Sequence, residues 1–269
     1  MNKPPIVLLS LGLVFGIVFG IAEATPFPPE QATPFQPTPE FTEAENTVDE
    51  LSGTPASDPE SQAKLKQVRA VFQAAVAGSP QATLALNYLA RTYAFEGQDR
   101  AVGIATFEKS LAIEPNQPDA ITRLIALCLD AGQRSKAADV QTRLVNRTAN
   151  PQLAAKVDKL LAQWDSKEGQ RLVGEGRASE GFALLDKAIQ ESASDPGAQQ
   201  DLRETRQRVS RDWEATLYND ALAKVKAKDY RGAWDVLEKL LPVAKDPEVV
   251  DRAKRLHDKL VPVIHPGKG

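Results

Sequence analysis

From Asp58 onward, apolar residues return every three or four positions, the period of a helix that buries one face. Leu65, Val68, Phe72 and Val76 share one such face, and Leu86, Leu89 and Tyr93 share another. No segment alternates with period two for long enough to predict a strand, so the pattern predicts an all-α body. Prolines at 80, 115, 151, 196 and 247 punctuate it, and Ser79, Asn150, Asp195 and Asp246 precede four of them, as Asp58 precedes Pro59. A capping side chain followed by proline at the first helical position starts a helix, because the N–H that proline lacks had no partner there. Second breaks fall at Gly97, Gly132, Gly176 and Lys228-Asp229, and the next proline follows 18, 19, 20 and 18 residues later. That regularity predicts helical hairpins whose second helices keep a constant length. First helices lengthen instead, with 17, 17, 25 and 33 residues from proline to break. Pro59 to Gly78 predicts an extra helix ahead of the first hairpin, and Glu248 to Leu260 a closing helix after the last.

The amino-terminal part reads differently. Ile6 to Ala22 is an unbroken apolar run with Lys3 before it and Glu23 after it. Such a run targets the chain to a membrane, and the positive charge ahead of it predicts an extracytoplasmic location for everything from Thr25 onward. Two outcomes stay open for residues 1–24. Ala22-Glu23-Ala24 has the small-x-small form of a signal-peptidase site, which predicts cleavage after Ala24. The run also approaches the ~17 residues that span a bilayer. Gly12, Gly16 and Gly20 then line one face of a retained helix, a pattern that permits close contact with a second copy. Thr25 to Pro59 is dense in proline and repeats Thr-Pro-Phe at residues 25–27 and 33–35. Proline fixes φ and withholds a backbone donor, so residues 25–58 are predicted to be a disordered spacer.

Charge separates spacer from body. Thr25 to Glu60 holds eight acidic residues and no lysine or arginine. Setting these aside with Lys3 and Glu23, the 33 basic and 36 acidic residues of the chain leave 32 and 27 for the rest. A modest positive balance spread along the body does not predict nucleic-acid binding, which calls for a concentrated basic stripe. One cysteine, Cys128, excludes an internal disulfide framework.

Reactive groups are sparse. His257 and His265 stand eight apart near the carboxyl end, whereas helical metal ligands want a spacing of three or four. Cys128 sits between Leu127 and Leu129 and reads as a small core residue rather than a thiolate. Gly174-Glu175-Gly176-Arg177-Ala178-Ser179 superficially suggests a dinucleotide loop, but it follows a helix and coincides with a hairpin break. Trp164, Trp213 and Trp234 lie on helical apolar stripes and are expected in the core. The sequence therefore predicts no catalytic residue, no metal site and no cofactor.

Two-helix units near 35 residues, with Leu86-Asn87-Tyr88-Leu89-Ala90-Arg91-Thr92-Tyr93 as a first helix, carry a resemblance. This segment, followed by Gly103-Ile104, Phe107, Ser110-Leu111 and Pro115, resembles the tetratricopeptide repeat, best over residues 81–151. Ile121, Leu124, Cys128, Gly132 and Ala137-Ala138 repeat the pattern more loosely, Leu86 stands where the family has tryptophan, and beyond 151 the likeness is architectural. The resemblance implies a right-handed stack of antiparallel hairpins, an α-solenoid whose first helices line a concave face. It further implies that Asn87, Arg91, Asp119 and Thr122 face a partner there.

The expected organisation is a signal peptide or anchor at 1–24, a spacer at 25–58, tetratricopeptide-like repeats at 59–151, and elongated hairpins with a closing helix at 152–269. The expected function is a non-catalytic scaffold or assembly factor of a bacterial cell envelope that holds another protein or peptide. A secreted or periplasmic binding protein or chaperone, and a self-associating subunit such as a homodimer, are the alternatives.

Overall fold

A computed structural model describes residues 35–51, 58–96 and 99–265. The chain divides into Met1–Gln36 and Pro37–Gly269, and every described helix belongs to the second unit. The apolar run, with Gly12, Gly16, Gly20, Ala22 and Ala24, lies outside the described residues, as does the break at Gly97. Among the described residues no helix is long and apolar enough to cross a membrane.

The body is all-helical, and its helices pack in neighbouring pairs. α1 (Pro39–Glu50) pairs with α2 (Pro59–Gly78), and α3 (Thr83–Glu96) with α4 (Arg100–Ile113). α5 (Pro118–Asp130) pairs with α6 (Arg134–Val140), which widens into a π-helical turn at Gln141–Val145 and ends in the short α7 (Asn146–Thr148). α8 (Pro151–Gly174) pairs with α9 (Ala178–Glu191), α10 (Pro196–Lys226) with α11 (Tyr230–Leu240), and α12 (Pro247–Ile264) follows. Each hairpin also touches the next through its first helix: α1 meets α3, α3 meets α5, α5 meets α8, α8 meets α10 and α10 meets α12.

The punctuation works largely as expected. Asp58, Asn150, Asp195 and Asp246 each accept a backbone N–H from the first turn that follows, and proline occupies the first turn of those helices. At the other end, three first helices stop in the same way. The residues after the C-caps, Gly132, Gly176 and Lys228, take left-handed φ of 70°, 83° and 63°. Their N–H groups and those of the next residues turn back onto the last helical carbonyls, closing a Schellman motif each time. Ser79 and Pro115 depart from the rule. Ser79 ends α2 and accepts Ala82 N–H within the turn, while α5 starts three residues past Pro115, at Pro118.

The spacer is where the expectation fails. Residues 39–50 are helical, not disordered, and Phe41, Ala44, Val48 and Leu51 are buried. Thr38 caps this helix with Pro39 at its first position, the same signal that opens the later helices. No proline intervenes between Pro39 and Pro55, which leaves room for three turns. Phe41 meets Phe72 edge-on at 5.1 Å and Tyr88 at 6.2 Å, and Phe72 stacks on Tyr88 at 5.4 Å. Burying side chains of this size contributes about 1.5–3 kcal/mol each, enough to fix a twelve-residue helix that would not persist alone. The first hairpin is therefore α1–α2.

Candidate interaction surface

First helix touches first helix along the body, so each such contact leaves outward-facing surface on both helices. Between α3 and α5 that surface opens into a recess of about 350 Å³. Ala94 and Phe95 of α3, Phe107 of α4, and Ala126 and Leu127 of α5 form its apolar part, while Arg91, Arg123 and Asp130 supply the charge. Arg123 is exposed, and no carboxylate pairs with it among the described residues. Partial burial lowers the affinity of its guanidinium for a proton, with the Arg91 charge acting in the same direction. The charges of Asp119 and Asp49 oppose this shift, and a carboxylate brought to Arg123 would add to their effect. The recess is thus suited to an apolar side chain accompanied by a carboxylate.

The four residues expected to face a partner fare differently. Asp119 is exposed on α5. Asn87 is half-buried, donates from Nδ2 to Gln117 Oε1 at 2.6 Å, and leaves its buried Oδ1 without a hydrogen bond. Arg91 lines the recess but is largely enclosed: it is 8% exposed, lies 4.7 Å over the Tyr88 ring, and is ion-paired with Asp49 of α1. Thr122 is also enclosed: it is buried, and its hydroxyl donates to Pro118 O at 2.8 Å within its own helix. Helical rotation explains the last case. Asp119, Arg123, Ala126 and Asp130 follow i, i+4, i+7, i+11 on the outer stripe, and Thr122 stands one residue, or 100°, away from it. Arg123 was legible in that spacing.

The α5–α6 hairpin is locked to α8 and α9 by buried charge. Arg134 donates from Nε and Nη2 to the two oxygens of Asp165, at 3.0 and 2.9 Å, and from Nη2 to Glu191 at 2.5 Å. Asp165 is fully buried, and Lys187 approaches it at 3.3 Å. Burial holds the Glu191 carboxyl above its ordinary value, Arg134 opposes that rise, and Asp165 adds to it. One turn of the same contact is closed by Trp164, whose indole N–H donates to Leu129 O at 2.9 Å. Arg134 Nη1 and Glu191 Oε2 remain buried without hydrogen bonds.

The remaining candidates are packed. Cys128 is fully buried, and desolvation pushes its thiol up to about 11. Trp213 meets Phe182 edge-on at 5.7 Å, and Trp234 stacks on His257 at 3.9 Å, with His257 Nε2 2.8 Å from Glu238. Among the described residues no three His, Cys, Asp or Glu side chains are grouped as metal ligands. The sequence matches no protein-family model and no curated protein.

Proposed function

We propose that the chain is a non-catalytic protein-interaction scaffold or assembly factor of a cell envelope. In this reading it is an extracytoplasmic, right-handed tetratricopeptide-like solenoid, carried on the segment before α1. The observation that supports it best is the α3–α5 recess, where Arg123, exposed and without an ion pair among the described residues, borders an apolar hollow. A surface made by successive first helices receives a peptide or partner helix without rearranging the stack. The partner's contribution is an apolar residue for the hollow and a carboxylate for Arg123.

Affinity capture of the tagged full chain from its native envelope tests the reading. Arg123→Glu is the comparison of choice, because Arg91→Glu also breaks the contact with Asp49 and so disturbs α1. One protein held by the wild type and released by Arg123→Glu supports the proposal. A protein held equally by both places the interaction elsewhere. The intact mass of the native chain decides between a cleaved leader and a retained anchor.

A further inference from the structure

The two ends of the body carry opposite charge in matching rows. At the carboxyl end, α10 and α12 leave a groove of about 640 Å³ between them. Tyr218, Leu222 and Leu256 make its floor apolar, and Arg252, Arg255 and Lys259 stand on its rim, with no carboxylate in the lining. These cations follow i, i+3, i+7 along one face of α12, a row about 10 Å long. All three are exposed. Arg252 and Arg255 pair with Glu248 and Asp251 of their own helix, exposed contacts of the kind that contribute little and exchange readily. The ion pairs of α12 among the described residues leave Lys259 unengaged.

At the amino end, α1 turns Glu40, Glu43, Thr47 and Glu50 toward a furrow beside α2. Glu43 and Glu50 are seven residues apart, as Arg252 and Lys259 are, so this part of the acidic row matches the basic row in spacing, and Glu40 extends it by one turn. Lys64 of α2 also lines this furrow, where it pairs with Glu60 at 2.8 Å, so three glutamates of α1 stand against one cation already held by a fourth.

We propose that copies of this chain associate head to tail, the acidic row of α1 on one copy docking against the basic α10–α12 groove of the next. The contact is heterologous: it leaves one free α1 and one free groove, so copies add in a file rather than closing as a symmetric pair. Complementary rows of exposed charge speed encounter and fix register, and salt weakens them.

Two variants of the full chain, purified in mild detergent, test this. One carries Arg252→Glu, Arg255→Glu and Lys259→Glu; the other carries Glu43→Lys and Glu50→Lys. Far-UV circular dichroism checks that each keeps its helix content. In sedimentation velocity the wild type is expected to associate, and raising salt toward 1 M to reduce that association. Each variant alone is expected to associate at least about tenfold more weakly, since like charges then face each other. Mixed in equal amounts, the two variants are expected to recover association, because each supplies the charge that the other's altered end requires. A monomeric wild type overturns the proposal. So do variants that associate like the wild type, and a mixture that stays as weak as its components. Capture of a different protein through Arg123 would be unaffected by any of these results.

Discussion

Arg134 is the cation on which two carboxylates from other helices converge, and deleting its charge should be costly. An exposed ion pair contributes roughly 0–1 kcal/mol, whereas removing one partner of a buried pair costs about 3–5 kcal/mol because the other charge is left uncompensated. The side chains of Arg134, Asp165 and Glu191 are 12%, 0% and 19% exposed, which places this cluster in the second class. Arg134→Met keeps an apolar stem and leaves Asp165 facing Glu191, with only the more exposed Lys187 between their charges. The expected loss at pH 7 is about 3 kcal/mol, the lower end of that range because Lys187 remains. The pH dependence has a definite sign. The Glu191 carboxyl is held above its ordinary value by burial, with Asp165 adding and Arg134 opposing, so removing Arg134 raises it further. A carboxyl whose folded value is raised contributes stability that is full below the unfolded value and lost as pH rises through the folded one. The deficit of Arg134→Met should therefore shrink as pH falls from about 7 to about 5. Urea unfolding at both pH values measures it, and hydrogen exchange locates it, with the loss of protection concentrated in α6, α8 and α9. A variant that unfolds with the wild type at pH 7, or a deficit that is equal at both pH values, refutes the reasoning.

Three further outcomes are expected. Lys228 adopts φ 63° where two other hairpins place glycine, so Lys228→Gly should stabilise the fold by about 1 kcal/mol in urea unfolding. Phe41→Ala removes a ring that is 1% exposed, at a cost of about 3 kcal/mol, and should release α1. Limited proteolysis should then cut within residues 39–58 while α8 stays protected. Cys128, with its thiol pushed up to about 11 and no exposed surface, should react with iodoacetamide at pH 8 only after unfolding.

Much of the fold could be read from local signals because those signals are chemical. A capping oxygen followed by proline starts a helix wherever it occurs, and a residue tolerant of left-handed φ ends one, which is why Asn150, Asp195, Gly132 and Gly176 mark true boundaries. Thr38-Pro39 carries the same signal, but the prolines just before it gave the whole segment the texture of a spacer. The apolar spacing of Phe41, Ala44, Val48 and Leu51 was the better guide. The surface was less legible, since its residues are decided by contacts distant in sequence. Asp49 reaches Arg91 across 42 positions, and Glu191 reaches Arg134 across 57. No local pattern announces either pairing. Arg123 differs, because its place on the outer stripe of α5 follows from periodicity alone.

The claim that this surface holds another protein is tested most directly by site-specific photocrosslinking in the native envelope. A photoreactive phenylalanine analogue replaces Phe95 in the recess, and in a control chain it replaces Val102, which is 45% exposed on α4. The account predicts a discrete product with another protein from position 95, absent from position 102 and lost when Arg123→Glu is added. Equal products from both positions, or a position-95 product that Arg123→Glu leaves intact, would contradict it.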